Sequence, residues 1–231
     1  MICLKTSVVT LALSLLPMAP LQARTVTAPP QALRDLGRKP TRHVRTVVIP
    51  DFGKERPPGT VSCRFKFTDP FFGYLTDEWY YARNKIPFGF MCYDATDPDP
   101  SKPNLADGFS VNFDVKMSRW VSDRSRFESH LTAQGMETEW VKKYADADHF
   151  YELTTGTATG FAITRDDVIG DESRRERHLH YCLIREPKAI CGQGVMGSLE
   201  DIKKNPRIDL TPYALQILRS IEFLDEEQPS K

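Results

Sequence analysis

The 231-residue chain has no surplus of either charge: 31 lysines and arginines face 31 aspartates and glutamates. A nucleic-acid binder needs a basic stripe to displace counterions from phosphates, so no nucleic-acid partner is expected. Long hydrophobic runs are also missing. Beyond Leu16 no stretch approaches the roughly 20 apolar residues of a membrane span. No Gly-x-Ser-x-Gly elbow, phosphate-binding glycine loop or His-Glu-x-x-His occurs. Each of those would place a nucleophile, an anion cradle or a metal at fixed spacing. Gly192-x-Gly194-x-x-Gly197 has the spacing of a dinucleotide fingerprint, but Ser198-Leu199-Glu200 opens only a weak helix after it. No repeat is evident. What remains is ordinary: 40% of residues are apolar or aromatic, enough to build a core and exclude global disorder.

The N-terminus carries the strongest single signal. Lys5 is the only charge before Arg24, and Val8 to Leu16 between them is apolar. Pro17 and Pro20 follow, then Leu21-Gln22-Ala23 with a small residue last. A short basic region, an apolar core and a small-residue end make up a secretory signal peptide, expected over residues 1–23. Cys3 precedes the apolar core, which argues against a lipid anchor. The expected location is therefore periplasmic or secreted. Residues 24–43, with Pro29, Pro30 and Pro40, read as a flexible leader. Residues 44–224 read as one domain and 225–231 as an acidic tail.

Export leaves Cys63, Cys92, Cys182 and Cys191, an even count that predicts two disulfides in an oxidising compartment. Register selects the pairing. Leu179 to Ile184 reads as a strand, Lys188 to Cys191 as its return, and Glu186-Pro187 as the tip. If Arg185 pairs with Lys188, Cys182 faces Cys191 at a close, non-hydrogen-bonded position. Cys63–Cys92 follows by elimination. Proline is not favoured at a two-residue tip, so a longer tip is also compatible.

Strands are expected at 44–49, 61–67, 88–93, 109–117, 150–153, 158–164 and 221–223. In the second, Val61, Cys63, Phe65 and Phe67 share a face. In the fourth, Phe109, Val111, Phe113, Val115 and Met117 are expected to point inward. Thr76 is expected to cap a short helix through Tyr81. Ser122 or Asp123 is expected to cap a helix ending at Gly135, and Thr211-Pro212 to start another with Thr211 as cap. The class is α+β: a mainly antiparallel sheet with helices packed on it.

The closing segment Leu210 to Phe223, a helix running through Leu218-Arg219-Ser220-Ile221 into a last strand, resembles the end of Mog1/PsbP-like α/β/α sandwich domains. Such a resemblance implies a sandwich of that type. Small exported bacterial proteins of this look include immunity proteins that neutralise secretion-system effectors. It transfers no catalytic residue.

Candidate chemistry is sparse. Cys182 with His178 and His180 suggests a thiol and a base, or a two-histidine metal pair, because the three share a strand face. The disulfide and a solvated strand face are the plainer readings. Asp166, Asp167, Asp171 and Glu172 lack the order of a calcium loop. Together with Asp97, Asp99 and Asp107 they form acidic loops suited to a basic partner surface, such as an effector. The aromatic segment Phe71-Phe72-Gly73-Tyr74 with Trp79-Tyr80-Tyr81 is read as core or as a binding surface. The expected function is a non-enzymatic protein-binding module without cofactor or metal, most concretely a periplasmic immunity or inhibitor protein. The alternatives are a secreted hydrolase using Asp114, Glu137 or Asp167, and a small-molecule or lipid carrier.

Overall fold

The computed structural model describes residues 43–49, 61–69, 89–96 and 108–225. The expected signal peptide, the leader up to Arg42, the acidic residues Asp97, Asp99 and Asp107, the aromatic segment at 71–81 and the tail from 226 lie outside them, while His43, expected to end the leader, opens the first strand. In chain order the elements are β1 (His43–Ile49), β2 (Cys63–Asp69), β3 (Met91–Asp94), β4 (Val111–Asp114) and β5 (Arg119–Ser122), then α1 (Arg124–Ala133) and α2 (Thr138–Ala147). β6 (Asp148–Thr154), β7 (Thr159–Asp166), β8 (Glu176–Arg185) and β9 (Lys188–Ser198) follow, then α3 (Leu199–Lys204), α4 (Thr211–Leu218) and β10 (Glu222–Leu224).

Every described strand pairing is antiparallel. The strands form a five-stranded sheet of order β3-β9-β8-β7-β6, a three-stranded sheet β1-β2-β10 and the two-stranded hairpin β4-β5. The class is α+β, as expected.

The larger sheet buries both faces, and period-two alternation sorts its residues between them. Leu179, Tyr181 and Leu183 of β8 meet Phe65 and Phe67 of β2, with Tyr213, Ile217 and Leu218 of α4 in the same cluster. Cys182 of β8 joins Phe161, Ile163, Val111 and Cys191 on the opposite face. Phe127 and Leu131 of α1 pack with Val141 and Ala145 of α2 in a third cluster.

Both disulfides form as paired from the sequence. Cys182 faces Cys191 across β8 and β9, with a Cα separation of 4.0 Å that marks a close pair. Arg185 pairs with Lys188, so the tip is the two residues Glu186-Pro187, joined by a cis peptide bond. Cys63–Cys92 ties β2 to β3 and so bolts the smaller sheet to the larger.

Three expectations need correcting. The strand expected over 109–117 is short, because the chain turns back after Asp114 and returns as β5. Phe113, Val115 and Met117 then point outward, at 39%, 79% and 54% exposure. Helix α2 escaped the sequence reading. Thr211 is not the cap of α4: it is the first helical residue, and its N–H donates to the Asp209 carboxylate. Asp209 thus supplies the anion favoured at a helix start.

The glycine spacing at 192–197 has a structural cause. Gly192 and Gly194 lie inside strand β9, away from any strand-to-helix loop. A methyl group on Gly192 would sit 1.8 Å from the Gly89 carbonyl oxygen. The Tyr181 hydroxyl donates to that same carbonyl at 2.7 Å, and burial pushes its pKa well up.

Candidate functional site

The β4-β5 hairpin stands on the second face of the large sheet. Its foot is aromatic: Trp120 packs on buried Phe161 with centroids 4.9 Å apart, and Phe113 packs edge-on against Trp120 at 5.4 Å. Its base is clamped by an ion pair. Arg165 of β7 makes a bidentate contact to Asp148 of β6 at 2.6 and 2.9 Å, and donates a further hydrogen bond to the Gly108 carbonyl. Asp148 also accepts from the Ser110 hydroxyl at 2.9 Å. The pair therefore holds residues 108 and 110, the entry to β4. On the exit side the Asp123 N–H donates to the Ser110 carbonyl at 2.8 Å. The Asp123 carboxylate caps α1 by accepting from the Arg126 N–H.

The tip is ordered by its own side chains. Asp114 Oδ1 accepts from the N–H groups of Lys116 and Met117 at 2.9 and 3.1 Å. Ser118 sits in left-handed backbone at φ 50°, a conformation that costs a non-glycine residue and recurs where function demands it. Val115 and Met117 are thus presented to solvent from a fixed turn, with Lys116 between them and Arg119 just after. Among the described residues neither cation has an ion-pair partner.

His180 lies in the same layer as Arg165. Its ring meets Phe109 at 5.0 Å. Loss of water holds its pKa down at about 4; the Arg165 and His178 charges lower it further and Asp148 opposes them. This histidine is therefore not the solvated strand-face residue expected from the sequence. His180 folds neutral, while the unfolded chain takes up its proton near the ordinary value of 6.5. Its contribution to stability is complete above that value and is lost as pH falls toward about 4. The loss amounts to roughly 2–3 kcal/mol after allowance for partial exposure. Denaturant midpoints measured across this range should fall with pH, and His180→Phe should flatten the slope.

The remaining sequence candidates separate. Cys182 is oxidised, so it offers no thiol to the histidines. His178 points Nε2 at Asp167 Oδ1, 3.3 Å away. Asp166 accepts from Nε and one Nη of Arg177, whose other Nη donates to Asp209 at 2.8 Å. These carboxylates raise the Arg177 pKa, Asp166 first among them. Asp167 accepts the Glu176 N–H, and Asp171 caps a short 3₁₀ turn through the Ser173 N–H. Asp171 and Glu172 are exposed; Asp166 and Asp167 are not. Of the hydrolase carboxylates, Asp114 closes the hairpin turn, Glu137 precedes α2, and Asp167 bonds to β8. Among the described residues no group of three or more His, Cys, Asp and Glu is placed to hold a metal.

The chain matches no family model, no curated protein and no solved structure.

Sequence reasoning missed the hairpin tip and its clamp. The signal for the tip was Asp114, an Asx-turn former, two and three residues before the amides it binds. The alternation of apolar residues through Met117 masked it. The clamp had no local signal, since register alone brings Arg165 to Asp148.

Proposed function

We propose that this chain is an exported protein-binding module, most concretely a periplasmic immunity or inhibitor protein that occludes a toxin or effector. One observation carries the reading: a rigid hairpin holds Val115 and Met117 out in water on a clamped, aromatic base. Large apolar side chains fixed in an exposed, ordered turn stand where interface anchors stand. Two disulfides and the absence, among the described residues, of a helix long and apolar enough to cross a membrane are compatible with an exported chain. The immunity role draws on the resemblance of the closing segment to Mog1/PsbP-like domains.

A protein fits this tip better than a lipid surface does. Burying the exposed parts of Phe113, Val115 and Met117 is worth about 3 kcal/mol in all. Two cations at an anionic leaflet add about 1 kcal/mol each. The sum only reaches the marginal, reversible binding of a single myristoyl chain. A complementary protein pocket gains from packing and full desolvation of the same few side chains.

The test is recovery of the oxidised chain from the cells that make it, beside a Val115→Asp/Met117→Asp variant of equal stability. A stoichiometric protein retained by the wild type and lost by the variant is the expected result. Turnover of a generic ester or glycan with no retained protein would overturn the proposal in favour of a hydrolase.

A further inference from the structure

We infer that the hairpin tip seats in an apolar pocket rimmed by carboxylates on the partner, an inference that rests on the protein-binding reading above. Charge at the tip carries it. Lys116 lies between Val115 and Met117, and Arg119 follows the turn. The one acid within the turn, Asp114, is committed to the Lys116 and Met117 N–H groups and so faces the turn itself. Seating Val115 and Met117 in a pocket brings both cations to its mouth and strips part of their water. Partly desolvated cations need counter-charges in place, and carboxylates at the rim supply them.

This partner chemistry is the opposite of the basic surface that the acidic loops suggested. Among those acids, Asp166 is paired with Arg177 and Asp167 lies against His178. At the tip itself the exposed charges without an ion pair among the described residues are the cations Lys116 and Arg119, and Asp171 and Glu172 are exposed elsewhere.

Photocrosslinking in the producing cells tests it, with Val115→benzoylphenylalanine in the full oxidised chain. The same probe at Val48, on the exposed face of β1, is the control. The expected result is one protein captured from position 115 and not from 48, with Asp or Glu flanking the crosslinked site in its peptide. The yield should fall about tenfold in a Lys116→Glu/Arg119→Glu background and with raised salt. It should hold in Asp171→Asn/Glu172→Gln. If the charge-reversed chain loses its thermal midpoint, Lys116→Gln/Arg119→Gln takes its place. A captured protein whose site lacks carboxylates, or a yield indifferent to Lys116 and Arg119, overturns this inference and leaves the protein-binding reading standing. Capture of lipid, of a second copy of this chain, or of nothing overturns both.

Discussion

Replacing Arg165 with methionine is expected to cost about 3–5 kcal/mol of folding stability, one of the two largest single effects in the molecule. The Asp148 side chain is only 1% exposed, and Arg165 supplies two of the hydrogen bonds to its carboxylate. Methionine preserves much of the buried stem but leaves the carboxylate with the Ser110 hydroxyl as its side-chain hydrogen-bond donor among the described residues. An isolated buried charge is penalised far more than a missing pair. The double variant Arg165→Met/Asp148→Leu should therefore recover most of the loss. Urea denaturation of the two variants beside the wild type decides it. A single-variant loss below about 1 kcal/mol would mean that water replaces the guanidinium. Because the same pair grips Gly108 and Ser110, amide exchange in the β4-β5 hairpin should speed up in Arg165→Met before the rest of the sheet responds.

The second large effect concerns the bridge between the sheets. Cys63→Ser/Cys92→Ser opens a loop of sequence separation 29, against 9 for Cys182–Cys191. Loop-closure entropy makes the first bridge worth about 3.5 kcal/mol and the second about 2.7 kcal/mol. The ordering is the sharper claim, because position strengthens it. Removing Cys63–Cys92 unties two sheets, whereas Cys182 and Cys191 remain neighbours in a hairpin. Thermal midpoints of the two double variants should fall in that order. An equal or reversed order would show that the link between sheets adds nothing to burial of Phe65, Phe67 and Phe90.

What was legible in the sequence was local. Cys182 opposite Cys191 could be read because strand period and a two-residue tip leave one register. Phe127 and Leu131 could be read because Asp123 and Gly135 punctuate their helix. Val115 and Met117 were misplaced for an equally physical reason. Alternation reports which residues share a side, not whether that side meets a core, and the turn at Asp114 to Ser118 uses neither glycine nor proline. Helix α2 was overlooked because Glu137 makes no capping bond and short Ala145 and Ala147 carry part of its buried face. Arg165 with Asp148, and buried Asp69 accepting from the Tyr213 hydroxyl at 2.9 Å, depend on register and on packing across the chain. No window of sequence holds both partners.

The order of the strands also bears on when the chain acquires its shape. Phe65 of β2 lies opposite Phe223 of β10, and Cys92 of β3 opposite Ile190 of β9. Neither sheet is complete until nearly the whole polypeptide has been synthesised. Contacts so distant in sequence form slowly. Such a delay leaves Cys92 without its sheet partner Ile190 until β9 has been made, although Cys63, its sulfur partner, lies only 29 positions away, whereas Cys182 meets Cys191 within one local hairpin.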